Sequence, residues 1–204
     1  MISLQVANAD VRMHATAALI AAFPITNDTA TRADRDSLLQ RQFDVLKDAL
    51  EDASPAVRVI GVEGACKVVG IYWELIPPVT ITGLVSRLVV ELSYDAASWR
   101  VRMAVCKGLA YLLDNHLSQA LLANLLPDLK HVIHDPVERV RACFIDLLLV
   151  VKGIRGMKFW DIVPVEHLLA RLCLEQFENQ KRLVKLLLSS FFPLNKSDSI
   201  RLDR

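Results

Sequence analysis

One apolar template recurs down this chain and restricts what it can become. In ERVRACFIDLLLVV, the residues Val140, Phe144, Leu147, Leu148 and Val151 stand at i, i+4, i+7, i+8 and i+11. That spacing draws one stripe along one side of an α-helix. The same register returns at Val11, Ala15, Ala18, Leu19 and Ala22, at Val57, Gly61, Gly64, Ala65 and Val68, and at Val101, Val105, Gly108, Leu109 and Leu112. An arginine follows the leading valine each time. A weaker fifth copy runs through Leu183, Leu187, Ser190 and Phe191 without the Val-Arg pair.

The leading valines are separated by 46, 44 and 39 positions, the spacing of two-helix HEAT or armadillo units, which stack so that each covers its neighbour's apolar face. The expected fold is all-α: a HEAT-repeat α-solenoid, a right-handed superhelix of antiparallel helix pairs with about five repeats. Composition agrees. Apolar residues make up 53% of the chain, aromatics only 6%, and glycines number 7, which suits a Leu-, Val- and Ala-rich helical array rather than a sandwich built on turns.

The expected organisation is a partial unit over residues 1–26, a flexible polar connection over 27–37, an array over 38–193 and a frayed tail over 194–204. In each pair an "A" helix precedes the Val-Arg "B" helix. Phe23-Pro24 stops the first template helix, Pro55 and Pro78 open later ones, and Pro127 breaks or bends the third "A" helix. Gly61 and Gly64 fall on the buried stripe and read as sites of close helix approach, since GVEG follows no strand and is no dinucleotide fingerprint. IYWELIP (71–77) and KFWDIVP (158–164) share one pattern, with Trp73 and Trp160 separated by 87 positions, or two repeats. Both tryptophans are expected as buried plugs between units.

No apolar run approaches the roughly 18–20 residues that span a bilayer. The opening MISLQVANADVRMHA has neither a basic segment nor a long apolar core, so the expectation is a soluble intracellular protein. Cys66, Cys106, Cys143 and Cys173 lie far apart with no CxxC pair, and are expected as buried free thiols. His131 and His134 beside Asp135 form an i, i+3 pair without an evident third ligand, so no metal is expected. No Ser/His/Asp, Cys/His or Gly-rich nucleotide arrangement is present, and neither an enzyme nor a cofactor is expected.

Charge is uneven. Residues 1–102 carry 10 Lys and Arg against 12 Asp and Glu, whereas residues 103–204 carry 14 against 11. Neither half has the excess of a protein that holds DNA unaided. An acid precedes three of the Val-Arg pairs: Asp52 before Arg58, Asp95 before Arg102, Asp135 before Arg141. Stacking aligns these on the inter-repeat turns as a structural ladder, each Arg pairing with the acid of its own or the next unit. The candidate DNA contacts are Lys152, Arg155, Lys158, Arg171, Lys181, Arg182 and Lys185, set against Asp161, Glu166, Glu175 and Glu178. Such contacts would be to phosphate and indifferent to base sequence.

The connectors are more distinctive than the helices. LLQRQFDVL, the DASPAVR turn with GACK after it, YWELIPP, LLDNHLS, LLPDLKHVIHD and KFWDIVPVEHLLARL together resemble the HEAT-repeat G-type (non-SMC) subunits of condensin II complexes, over about Leu38 to Pro193. Those subunits are longer, so the chain is expected to be a fragment or a truncated relative. The resemblance implies a non-catalytic scaffold that docks on the kleisin subunit, and through it on SMC ATPases, and helps hold double-stranded DNA during mitotic chromosome condensation in the nucleus. It marks no particular kleisin-contacting residues. The alternative is a HEAT-repeat adaptor outside chromosome biology, such as a transport or phosphatase scaffold.

Overall fold

The computed structural model describes residues 6–27 and 29–191; the expected frayed tail, 194–204, lies outside them. Among the described residues there are ten α-helices and no strand: α1 (Ala9–Ala22), α2 (Arg32–Glu51), α3 (Pro55–Ile71), α4 (Pro78–Val90), α5 (Trp99–Leu113), α6 (Gln119–Leu125), α7 (Glu138–Gly153), α8 (Phe159–Ile162), α9 (Val165–Leu174) and α10 (Phe177–Phe191). No helix is long and apolar enough to cross a membrane among the described residues.

The template helices α1, α3, α5, α7 and α10 pack side by side in chain order, and α2, α4, α6 and α9 precede their partners in the array. The chain is therefore an all-α helical repeat. A middle "B" helix is enclosed by its two "B" neighbours and its "A" partner, so it buries far more than one stripe: α3 hides Val57, Val62, Ala65, Cys66, Val68 and Val69 as well as Gly61 and Gly64. One continuous core runs from Phe23 to Leu187. At roughly 1.5–3 kcal/mol for each fully buried large aliphatic side chain, this seam is the main stabilising term.

Two glycines show why the template tolerates missing side chains. A Cβ on Gly61 would stand 3.0 Å from the Ala49 backbone in α2, and one on Gly108 would stand 2.4 Å from Cys66 Sγ in α3. The helices approach closely there because nothing intervenes.

Several expectations are corrected. Residues 32–37, expected within the connection, are helical: α2 begins at Arg32, capped by Thr31, whose hydroxyl oxygen accepts from the Asp34 amide at 3.2 Å. The polar composition that suggested a loop is a solvated first turn with a capping threonine. In α1 the stripe is only partly covered. Leu19 is buried but Val11 is 42% exposed, because α1 packs against α2 and α3 on one side only. Pro127 does interrupt the third "A" helix. α6 ends at Leu125 and the chain continues as a 3-10 segment, Leu126–His134, since a proline inside a helix removes one amide donor and crowds the preceding turn.

Candidate functional site

Along one margin of the array the helix-opening arginines reach forward to the next turn. Arg12 Nε donates to Asp52 at 2.7 Å, Arg58 Nε to Asp95 at 2.7 Å and Arg102 Nε to Asp135 at 2.6 Å, and Arg141 grips both carboxylate oxygens of Glu175. The other guanidinium nitrogen turns back to carbonyls of its own turn: Arg58 Nη1 to Asp52 O at 2.7 Å, Arg102 Nη1 to Asp95 O at 2.6 Å, Arg141 Nη1 to Asp135 O at 2.7 Å. Each aspartate also accepts a backbone amide of its own turn, from Ser54, Ser98 and Val137.

Sequence reasoning missed Arg12 and Glu175 as ladder members. Arg12 was legible as the second residue of its template. Glu175 was legible by distance, since it lies 34 positions beyond Arg141 as Asp135 lies 33 beyond Arg102. Burial pushes the Glu175 carboxyl up, but hydrogen bonds from Arg141, Arg171 and Asn179 outweigh it and hold the group at about 2. The hydrogen bond from Arg12 lowers the Asp52 carboxyl in the same way.

The seven candidate cations do not converge. Arg171 is bound to Glu175 at the ladder margin. Lys152, near the other end of α7, donates to Lys185 O and Leu186 O at 2.8 Å each. Burial, then the neighbouring Lys185, lowers the Lys152 pKa. Over the 16 residues of α7 the two ends lie about 24 Å apart. Arg182 pairs with Asp146 at 3.1 Å, Lys181 with Glu178 at 3.2 Å, and Lys158 stands 5.9 Å from the Trp160 ring centroid. Among the described residues Arg155 and Lys185 donate no side-chain hydrogen bond.

A different basic row appears instead. The position before the leading apolar residue is Arg100 in α5, Arg139 in α7 and Arg182 in α10, successive "B" helices. Arg100 and Arg139 both sit over Trp99, at 5.4 and 5.7 Å from its centroid, and neither pairs with a carboxylate among the described residues. Aligning the templates one residue earlier would have exposed this row.

The tryptophan plugs are corrected. Trp160 is 39% exposed, whereas Trp73 is half-buried and packs against the core from its edge. The gap between units is filled by their neighbours, Ile76 after Trp73, and Phe159, Ile162 and Val163 around Trp160. The cysteines are corrected too: Cys66 and Cys106 are buried, Cys143 is half-buried and Cys173 is exposed. His131 stacks on Tyr94 at 3.6 Å between centroids, and His134 Nε2 lies 2.7 Å from His167 Nδ1. Among the described residues no group of three or more His, Cys, Asp or Glu is placed to hold a metal ion.

Comparison with known proteins finds relatives over nearly the whole of this chain. The chain is 43% identical over 201 residues to condensin-2 complex subunit G2 of Xenopus laevis, 40% identical over 201 residues to that of Homo sapiens and 40% identical over 202 residues to that of Danio rerio. Each alignment covers 98–99% of this chain. The chain is homologous to condensin-2 complex subunit G2. It spans 17–18% of the length of these curated relatives. No protein-family profile matches it, and no solved structure matches it.

The subunit G2 likeness runs through α1 as well as the connectors from which the resemblance was read, so Arg12 and its partner Asp52 both lie within the aligned stretch. The connectors occupy the two margins of the array. DASPAVR makes the ladder turn before α3, whereas YWELIPP and KFWDIVP make the hand-overs into α4 and α9 at the opposite ends of the "B" helices.

Proposed function

We propose that this subunit G2 homologue is a non-catalytic helical scaffold of a condensin II-type complex, binding the kleisin subunit and contributing to the hold on double-stranded DNA when mitotic chromosomes condense in the nucleus. The carrying observation is the 40–43% identity to condensin-2 complex subunit G2 over nearly the whole chain. A stacked array supports the reading physically. It offers long side-by-side helix faces on which a partner segment can become ordered, without requiring a pocket of reacting groups.

For DNA, the cations that matter are those not already tied to the protein. Lys152 and Arg171 spend their donors on the array itself, whereas Arg155 and the Arg100–Arg139 pair remain open to phosphate. Their contacts would be electrostatic and would weaken steeply with salt.

Co-purification from cells tests the assembly. Recovery of kleisin and SMC chains with the tagged protein supports the reading; recovery of transport cargo or a phosphatase in their place overturns it and supports the alternative adaptor. Duplex titration of the kleisin-bound protein tests the DNA contribution. Arg155→Glu with Lys158→Glu, and separately Arg100→Glu with Arg139→Glu, should weaken binding, with about one unit of salt slope lost per phosphate contact removed. Unchanged affinity and slope in both variants would remove DNA from the proposal.

A further inference from the structure

At the margin opposite the ladder, the connection from α3 to α4 and the connection from α5 to α6 enclose an open groove of about 370 Å³. Its apolar side chains face solvent beside the polar Glu74 and Asn115. Ile71 is 53% exposed, Leu75 49% and Leu117 41%, with the half-buried Trp73 between them. Asn115 lines it too and donates from its side chain to Gly70 O at 3.2 Å, which ties the α5–α6 connection to the end of α3. The groove is therefore a formed feature shared by two consecutive units.

Its charge is one-sided. Glu74 lines it, exposed and without an ion-pair partner among the described residues, and the equally unpaired Asp114 caps α5 beside Asn115. Both connections also follow helix C-termini, those of α3 and α5, whose carbonyl ends favour a nearby cation.

The internal repeat shows what the groove lacks. In KFWDIVP, Lys158 stands over the Trp160 ring. At the equivalent place in IYWELIP the residue is Ile71, and among the described residues no cation stands over Trp73. Position 71 thus supplies an apolar wall where the later copy supplies its own positive charge.

We propose that this groove docks a short peptide segment of a partner protein, seating an apolar side chain against Ile71, Leu75 and Leu117 and a neighbouring lysine or arginine over Trp73 beside Glu74. Such a cation would take the role that Lys158 performs internally on Trp160, and the apolar anchor would carry most of the affinity. The inference does not depend on the condensin reading, since it rests on the groove and the repeat alone.

A display library of random linear peptides, panned on the immobilised 204-residue chain, tests it. Enriched peptides should pair an aliphatic or aromatic residue with Lys or Arg and should change tryptophan fluorescence in the wild type but not in Trp73→Phe. Leu117→Arg should lower their affinity by about tenfold or more, and Glu74→Lys by about threefold or more. Ile71→Lys, which copies the Lys158 arrangement onto Trp73, should compete with the peptide and abolish enrichment. Ile71, Glu74 and Leu117 are solvent-facing, so the variants at those positions should keep the wild-type helical melting curve. Failure to enrich any peptide above the Leu117→Arg background would overturn the proposal. So would enrichment of peptides without basic residues, or binding that Glu74→Lys and Ile71→Lys leave unchanged.

Discussion

Arg102 opens α5 but binds the carboxylate of Asp135, 33 residues onward, at 2.6 and 3.0 Å, while returning one nitrogen to the Asp95 carbonyl of its own turn. The guanidinium thus bolts one helical pair to the next. Both side chains are largely buried, with 12% and 5% exposed, so removing one member leaves the other desolvated and unmatched.

Arg102→Ala should cost about 3 kcal/mol in urea unfolding at neutral pH, and Asp135→Ala a similar amount. The double variant should lose less than the sum, with a coupling of roughly 1–3 kcal/mol. Strict additivity would show that the pair is a contact without energetic weight.

Acid should loosen the far end of the ladder. Glu175 is held at about 2, below its ordinary 4.5, so in that window the unfolded state binds a proton that the folded state does not. Its contribution, at most about 3 kcal/mol, is complete above pH 4.5 and drains away as pH falls towards 2. Urea midpoints measured across that range should drop in the wild type and drop less in Glu175→Gln, which starts from a lower stability.

Glycine substitutions should split by location. Gly61→Ala pushes a methyl to within 3.0 Å of the α2 backbone and should destabilise by about 1–3 kcal/mol. Gly83, inside α4, has nothing within 4 Å of an added Cβ, so Gly83→Ala should raise stability by up to about 1 kcal/mol. Thermal melts of the two variants read the opposite signs directly.

Thiol labelling should follow burial. Cys173 is exposed and should react first with a maleimide, with the half-buried Cys143 slower. Cys66, whose thiol burial pushes up to about 12, and Cys106, raised the same way, should react only on unfolding. Mass spectrometry after timed labelling gives the order.

Much of the repeat was legible because a stripe at helical spacing reports directly which side of a helix leaves water: Val57, Val101 and Val140 are all buried to 1% exposure or less. The turn acids were legible for a related reason, since equal spacing in sequence becomes stacking in space. What the stripe could not convey was partner choice. Arg58 has Asp52 close in sequence, yet takes its carboxylate from Asp95, because the nearer acid already receives Arg12 and the Ser54 amide. Exposure of the tryptophans was hidden for another reason. A motif such as IYWELIP places six side chains, Tyr72 to Pro77, around a non-helical corner, where periodicity no longer tells inside from outside, and Ile76 rather than Trp73 is fully buried. Nor could spacing show that Arg171 stands at the ladder margin while Lys152 lies near the other end of α7.

Forward bonding by one register has a consequence for how such chains can change length. Excision of residues 96–135 would remove Arg102 and Asp135 together, leaving Arg12 with Asp52, Arg58 with Asp95 and Arg141 with Glu175. The cut ends would join Asp95 to Pro136, which restores the same acid-to-arginine interval on the following helix, six positions as between Asp52 and Arg58. No orphaned charge results. An architecture with this property can lose or duplicate a whole module in one genetic event and still close every electrostatic clasp that remains.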